Sequence, residues 1–305
     1  MALRLLSLTD AARLRPVGIA VALFCVSLAG CGDTKPAAES ETPRQTRQTP
    51  IAVAPDLVDP PQTIASLRAA LGLTRGEGQF EKVGGEIVAA DLTDTDVTTL
   101  EPLASLPIRQ VFLEKTAVDS LAPLSQAPLE VVYAGGTPIS DLKPLAGRTL
   151  TQLNLIDTPI ADLSPLATCR LGTLWLRRCP VSDLTPLAET RLQSLDVQET
   201  DVADLAPLAS MRTLRRLNIA GTPVVDVTPL AGLALQRIIL SPERITAGME
   251  GLRSMKTLEA IDTSFDGPQP TAMPAASFWA QYDAGTFDEG SERGKSTVDA
   301  ESVDE

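Results

Sequence analysis

The residue types that perform most enzyme chemistry are scarce in this sequence, because it contains no histidine. Without histidine there can be no Ser-His-Asp or Cys-His nucleophile system and no HExxH zinc site. No glycine-rich phosphate loop of the GxxxxGK[ST] or GxGxxG type is present either. The sequence therefore predicts a protein that is not an enzyme and that needs no cofactor.

Four cysteines are left as potential nucleophiles or ligands. Cys25 and Cys31 belong to an N-terminal segment that is treated below. Cys169 and Cys179 flank one predicted strand, and about five extended residues between them would hold their Cα atoms more than about 7 Å apart, too far for a disulfide. We expect both thiols to be buried as small apolar groups.

Five aspartates recur at one position of a repeated pattern: Asp141, Asp162, Asp183, Asp204 and Asp226. Carboxylates stacked at strand spacing could supply oxygen ligands to calcium. Each aspartate, however, precedes Leu-x-Pro or Val-x-Pro, in which the carboxylate would cap a helical turn and the proline would lie in its first turn. Capping of the turn is sufficient to explain why the aspartate recurs, so no metal is predicted.

Three aromatic residues, Phe112, Tyr133 and Trp175, are the only ones between Ile87 and Thr257. Each falls between two strand residues that point to the core, so its own side chain should point away from the core. Asn154 has the same position between Tyr133 and Trp175. Because strands lie about 4.8 Å apart, we expect Phe112 to touch Tyr133 and Trp175 to lie about 10 Å from Tyr133.

This aromatic row predicts a binding patch, since aromatic residues beside an arginine are typical of interface hot spots. Its expected neighbours are Gln110, Val131, Gln152, Ile156 and Arg177. Arg215, Arg216 and Arg237 make the C-terminal end of the same face basic, which would steer an acidic partner. The alternative is that these are scattered exposed side chains without a role.

The elements that must position these residues come from a repeat. Copies begin at Ile87, Ile108, Leu129, Leu150, Leu171, Leu192, Leu214 and Leu235, 21 residues apart with one spacing of 22. The unit is LxxLxLxxTxVxDLxPLAxxx, in which LxL predicts a short strand with both leucines on one side. The threonine hydroxyl can bond to the backbone where the chain leaves the strand, and Cys179 replaces it once.

The unit resembles the leucine-rich repeat, and most of all the short internalin-type variant. This resemblance implies an α/β repeat solenoid, with a curved parallel β-sheet on the concave face and short 3₁₀ or turn segments on the convex face. It also implies protein binding in general, and we predict that the concave face is the binding surface. The predicted repeat domain, of eight copies with 21–23 residues each, covers residues 87–257.

Caps are expected on both sides of the repeats, because the terminal coils of a solenoid would otherwise expose their apolar faces. Residues 62–86 form the predicted N-terminal cap, with a helix that starts after Thr63, contains Ile64, Leu67, Leu71 and Leu73, and stops near residues 72–76. The predicted C-terminal cap, residues 258–287, includes Phe278 and Trp279 as its covering residues. A disordered acidic tail is predicted for residues 288–305.

The N-terminus reads as a signal segment, with three arginines followed by an apolar run of 13 residues. It ends in Leu28, Ala29, Gly30 and Cys31, which resemble the lipobox of bacterial lipoproteins. The resemblance implies removal of residues 1–30 and acylation of Cys31, for example with palmitate. An ordinary secretory peptide is the alternative. Residues 31–61, rich in proline, threonine and charge, predict a disordered tether.

These patterns together predict a lipid-anchored protein of the bacterial cell envelope, in the outer membrane rather than the inner because Gly32 follows the cysteine. The net charge of −13 excludes nucleic acid as a partner. The predicted partner is another protein in the periplasm or at the cell surface. A glycan- or peptidoglycan-binding lipoprotein and a purely structural one are the alternatives.

Overall fold

The computed structural model of the chain describes residues 63–263 and 272–287. Within them, one sheet of ten strands is arranged in chain order. β1 and β2 are antiparallel, and every later strand is parallel to the one before it. The strands are β1 (Gln79–Val83), β2 (Glu86–Asp91), β3 (Gln110–Phe112), β4 (Val131–Tyr133), β5 (Thr149–Asn154), β6 (Arg170–Trp175), β7 (Ser194–Asp196), β8 (Arg216–Asn218), β9 (Arg237–Ile239) and β10 (Ala260–Asp262).

The repeat period of the sequence determines the register of the sheet, because residues one repeat period apart are paired in neighbouring strands. Val111 pairs with Val132, and Leu153 pairs with Leu174. Each coil therefore returns the chain beside the strand it has just left, which is the crossover that parallel strands need. The predicted repeat solenoid, with its parallel sheet and its short 3₁₀ turns, is confirmed. The predicted signal peptide, tether and acidic tail lie outside the described residues.

The coil that begins at Leu150 shows how the core is built. Six aliphatic side chains of this coil are at most 1% exposed: Leu150, Leu153, Leu155, Ile160, Leu163 and Leu166. The same positions are buried in the neighbouring coils, so each layer of leucines packs between two others. One coil alone would leave these side chains in water, and the stability of the array therefore depends on contacts between neighbours.

The threonine that ends each strand is buried and bonded to the backbone as predicted. Its Oγ1 donates to the carbonyl oxygen three residues earlier at 2.6–2.7 Å, in Thr116, Thr137, Thr158, Thr200 and Thr222. Cys179 takes this position in one coil, and its Sγ instead lies 3.0 Å from the carbonyl oxygen of Leu155 in the preceding coil. In each of these coils, the buried hydroxyl or thiol therefore has a backbone carbonyl as its hydrogen-bond acceptor.

The repeated aspartates bind the backbone one position earlier than predicted. In the five coils that carry this aspartate, the residue before the 3₁₀ turn is Leu or Val, and the aspartate precedes that residue. Its Oδ1 accepts the N–H two residues on, at 2.7–2.9 Å, in Asp141, Asp162, Asp183, Asp204 and Asp226. This is an Asx turn rather than an N-cap. The predicted capping position is therefore wrong, although the predicted acceptor role is right.

The described 3₁₀ turns span three to five residues, and all but the last have proline at the second position, where the first turn of a helix tolerates it. Their bounds are Glu101–Leu103, Ala122–Leu124, Lys143–Leu145, Ser164–Thr168, Thr185–Leu187, Ala206–Leu208, Thr228–Gly232 and Pro242–Arg244. Each buries one leucine, such as Leu145 or Leu187, except the last, whose sequence has lost the motif.

The N-terminal end of the array is covered by a helix and a hairpin. Helix α1 (Ile64–Ala70) begins after Thr63, whose side chain accepts the N–H of Ser66, and it buries Leu67. The antiparallel strand β1 was not predicted. The signal for it is Gly84-Gly85 between two strand-like segments, since both glycines have positive φ and such a pair is typical of a tight hairpin turn.

The C-terminal end is covered by helix α2 (Met249–Arg253), β10 and helix α3 (Ala275–Asp283). Phe278 of α3 is fully buried, and Trp279 is partly buried against the core, with the guanidinium of Arg253 4.7 Å from the centre of its ring. In the described part of the chain, no helix is long and apolar enough to cross a membrane.

Candidate binding surface

The central row of the concave face contains one residue from each of the strands β2 to β9, and Asp262 of β10 continues it. The register places Asp91, Phe112, Tyr133, Asn154, Trp175, Asp196, Asn218 and Ile239 side by side in that order. In each repeat strand the neighbours before and after the row residue are buried in the core, so the row residue itself points to the opposite face. The predicted orientation of the three aromatic residues is confirmed.

The three aromatic rings form one continuous cluster. The ring centroids of Phe112 and Tyr133 are 5.2 Å apart, and those of Tyr133 and Trp175 are 5.8 Å apart, both with edge-to-face geometry. The expected separation of about 10 Å between Tyr133 and Trp175 is therefore wrong. It followed from strand spacing alone, whereas the two long side chains lean towards each other across one strand.

Asn154 explains how the rings can meet. Its Oδ1 accepts the N–H of Ile156 at 3.0 Å, and its Nδ2 donates to Oε1 of Glu114 at 3.3 Å. The amide is thus held against its own strand, and a short side chain in this position leaves the space above it to the rings of Tyr133 and Trp175. Asn154 supports the cluster from below instead of adding a fourth contact to it.

Tyr133 is fixed at the centre of the cluster by its hydroxyl. The phenol donates to Oε1 of Gln152 at 2.5 Å, and Gln152 is one of the predicted neighbours. Burial, with a smaller effect of the Glu114 carboxylate, raises the pKa of Tyr133. The phenol therefore remains a hydrogen-bond donor throughout the physiological range.

Beyond Trp175 the face becomes polar and basic. Trp175, Arg177, Asp196 and Arg216 belong to the lining of a cavity of about 180 Å³ in the concave surface. Arg237 also contributes to this cavity, and its Nε donates to Asp262 at 2.7 Å. Arg215 does not, because its guanidinium bonds to the carbonyl oxygens of its own loop. Arg215 therefore lies outside the cavity lining, and its contribution to the basic end of the face stays a prediction.

Asp196 is the residue of this region that the sequence prediction missed. It lies next to Trp175 in the central row, 21 residues further along the chain, and the repeat period alone could have identified it. Its Oδ1 accepts the N–H of Gln198 at 2.9 Å. Burial raises its pKa, opposed by hydrogen bonds from Gln198 and Asn218 and by the charge of Arg177.

We expect Asp196→Asn to stabilise the fold at neutral pH. Because the folded-state pKa is raised, the ionised carboxylate opposes folding above that pKa, and the penalty disappears as the pH falls below it. Asparagine fits, since Asn154 and Asn218 make the same bond to the N–H two residues on. Urea unfolding at neutral pH should show a higher free energy of unfolding for the variant, and this advantage should vanish near about pH 3.

Asp119→Asn is the matched control, because it removes the same charge from an exposed side chain. It should change stability little at either pH. An Asp196→Asn protein that is less stable than the parent at neutral pH would contradict the penalty assigned to the buried carboxylate.

The two cysteines and the aspartate series give no sign of reactivity or metal binding. Cys169 and Cys179 are buried and not joined in a disulfide, as predicted, and burial raises the pKa of both thiols. Each aspartate of the series is engaged by its own turn. Among residues 63–263 and 272–287, no group of three or more His, Cys, Asp or Glu side chains could hold a metal ion.

The fold and this surface define a leucine-rich-repeat solenoid. Its structure is similar to internalin C2 of Listeria monocytogenes, with a TM-score of 0.54, 24% identity, and coverage of 65% of this chain and 90% of that one. A second Listeria monocytogenes internalin (inlF) matches with a TM-score of 0.51 and 23% identity, over 64% of this chain and 60% of that one. No family model and no curated protein matches the sequence.

Proposed function

We propose that this chain is a non-catalytic protein-interaction module that binds another protein through its concave face. The observation that carries the proposal is the cluster of Phe112, Tyr133 and Trp175, in which the ring of Tyr133 contacts both other rings in the middle of an otherwise aliphatic repeat. The core of the repeats is built from aliphatic side chains, and these aromatic side chains lie on the opposite side of the strands. Large rigid rings on a fixed platform are typical of binding hot spots.

The rigidity of the platform favours binding of a preformed partner surface. Tyr133 is held by Gln152, and Asn154 is held by Ile156 and Glu114. Little side-chain freedom is therefore left to lose on association, which lowers one of the main costs of binding. The cluster could stack on sugars as well, so the test must distinguish a protein from a glycan.

The test is a crosslinking pull-down from cells, with bound proteins identified by mass spectrometry. We expect partners recovered by the parent to be lost with the triple change Phe112→Ala, Tyr133→Ala and Trp175→Ala. The control replaces Val83 and Val225, the exposed large apolar residues away from the concave row, with alanine. Equal recovery by the triple variant would contradict the proposal. Retention on isolated cell-wall sacculi, lost with the same triple change, would support the glycan reading.

We further propose that Cys31 carries a lipid and holds the protein at the bacterial cell envelope, in the outer membrane. The support is the sequence Leu28-Ala29-Gly30-Cys31 after an apolar run of 13 residues. Two or three acyl chains at one cysteine would give stable anchoring, because each buried CH₂ contributes about 0.8 kcal/mol. The repeats would then face the periplasm or the cell exterior, where a protein partner could reach them.

Cys31→Ser should move the protein from the membrane fraction to the soluble fraction, because serine cannot form the thioether. Immunoblots of fractionated cells measure this. Cys25→Ser, six residues earlier, makes the same atomic change without touching the predicted attachment site and should leave the protein with the membrane. If the Cys31→Ser protein stays with the membrane, the anchor proposal is wrong.

A further inference from the structure

The cavity beside Trp175 has the size of a pocket for one or two side chains. Its volume of about 180 Å³ exceeds the ~30 Å³ share of a single water. It is smaller than the roughly 300–1,000 Å³ of pockets that hold drug-sized ligands. A concavity of this size in a surface that binds proteins would receive a protruding side chain of the partner.

One wall of the cavity is apolar and adjoins the aromatic cluster. Trp175 belongs to both the cluster and the cavity, and Ile156 and Ile239 also line the cavity. A partner that covers the cluster would therefore extend directly into the cavity. The stem of an inserted side chain would pack against Trp175 and the two isoleucines.

The remaining wall has two arginines whose hydrogen-bonding capacity is not used. Arg216 is exposed, and its guanidinium forms no hydrogen bond or ion pair with any residue in 63–263 or 272–287. Arg177 is partly buried, and within the same residues its Nε is buried without a hydrogen-bond partner. A buried donor without an acceptor is costly, and a ligand oxygen that lets the guanidinium complete its bonds would remove that cost.

The net charge of this wall is positive although the whole chain is acidic. Asp196 and Asp157 both interact electrostatically with Arg177, but Asp157 is paired with Arg178, and Arg237 is balanced by Asp262. The two positive charges of Arg177 and Arg216 therefore outnumber the single negative charge of Asp196. Guanidinium groups bind carboxylates with two parallel hydrogen bonds, so the polar wall matches a carboxylate better than a neutral group.

We propose that this cavity receives an Asp or Glu side chain of the partner protein, within a segment whose neighbouring apolar residue packs on Trp175. The proposal rests on the proposed function and narrows it to partners with an acidic-apolar segment. Arg216 supplies the accessible guanidinium, and Arg177 completes its own bonds on the bound carboxylate. The carboxylate of Asp196 repels the carboxylate of the partner and therefore lowers the affinity of the pocket for it.

The test uses random twelve-residue peptides displayed on phage and selected on the immobilised full chain. We expect the enriched peptides to share an Asp or Glu near a large apolar residue. Binding of one enriched peptide, labelled with a fluorophore, is then measured by anisotropy. Arg216→Gln should weaken it about tenfold, Asp196→Asn should strengthen it, and Arg191→Gln should leave it unchanged. Arg191 is an exposed arginine outside the cavity, so it controls for overall charge.

The outcomes separate this inference from the proposed function. Enriched peptides without acidic residues, or equal binding by the Arg216→Gln protein, would overturn the acidic-pocket inference alone. Selection of no peptide by the parent would overturn the acidic-pocket inference, whereas the proposed function is overturned only by the pull-down, if the triple variant recovers the same partners as the parent. Retention on cell-wall sacculi that Arg216→Gln abolishes, together with failed peptide selection, would assign the pocket to an anionic glycan instead.

Discussion

Gly248→Ala should lower the free energy of unfolding by about 3 kcal/mol or more. Gly248 precedes α2 with a φ of +92°, a conformation that costs an L-residue strain. An added Cβ would lie 2.2 Å from the backbone nitrogen of Thr228 and 2.6 Å from the carbonyl carbon of Val227. Both atoms belong to the backbone of the preceding coil, so no side-chain rotation can relieve the contact.

The consequence should be local to the C-terminal end of the solenoid. At this point the eighth coil returns close to the seventh, since Ala247 forms a bridge with Asp226 and accepts the N–H of Val227. Separating these segments would loosen α2 and β10 from β9. Urea unfolding measures the total effect, and amide hydrogen exchange should show the lost protection concentrated after residue 240.

Gly147→Ala is the matched control for Gly248→Ala. Gly147 also has a positive φ, +72°, but an added Cβ there would meet no atom within 4 Å. This change should therefore cost only the conformational strain, about 1–2 kcal/mol. If the two variants lose equal stability, backbone contact is not what requires glycine at position 248.

The repeat core could be predicted from the sequence because, in a solenoid, residues one repeat period apart in the chain lie next to each other in the structure. Leu153 lies 21 residues from Leu174, and the two are paired in adjacent strands. Once the period is known, every buried leucine and its neighbours follow without coordinates. The same reasoning placed Phe112, Tyr133 and Trp175 in one row, because a row position depends only on the repeat offset.

The contacts on the exposed side of the sheet could not be predicted in this way. Nothing in the period indicates that Tyr133 leans across a strand to meet Trp175, since that depends on the shortness of Asn154 and on the bond from Tyr133 to Gln152. The cavity was missed for a related reason. It is built from several coils at once, and Asp196 was overlooked because an aspartate between Leu195 and Val197 belongs to no recognised motif.

The ends of the array were predicted least well because they depart from the repeat. Residues there have no preceding copy to compare with, and the hairpin of β1 and β2 is signalled only by Gly84 and Gly85. Glu243 marks where the threonine is lost, but the sequence does not reveal that the following glycine, Gly248, lies against backbone. The contacts at the two ends occur in a single copy, so no repeated pattern in the sequence reveals them and the structure is needed to find them.

Phe278→Ala should lower the free energy of unfolding by about 3–5 kcal/mol. Phe278 is fully buried although it lies outside the repeats, and it joins the core that covers the last coil. Its ring centroid is 5.1 Å from that of Trp279 and 5.0 Å from that of Phe287. Truncation would leave a cavity at the C-terminal end of the array, where the leucine layers have no further coil to cover them.

Phe278→Leu is the matched control, because it keeps most of the apolar volume and should cost less than about 1.5 kcal/mol. In a linear array, loss of a cap exposes the terminal coil first and the middle coils later. Hydrogen exchange in the Phe278→Ala protein should therefore accelerate in β9 and β10 while β4 and β5 remain protected. Uniform loss of protection along the whole sheet would show that the array unfolds as one unit and that Phe278 does not act as a local cap.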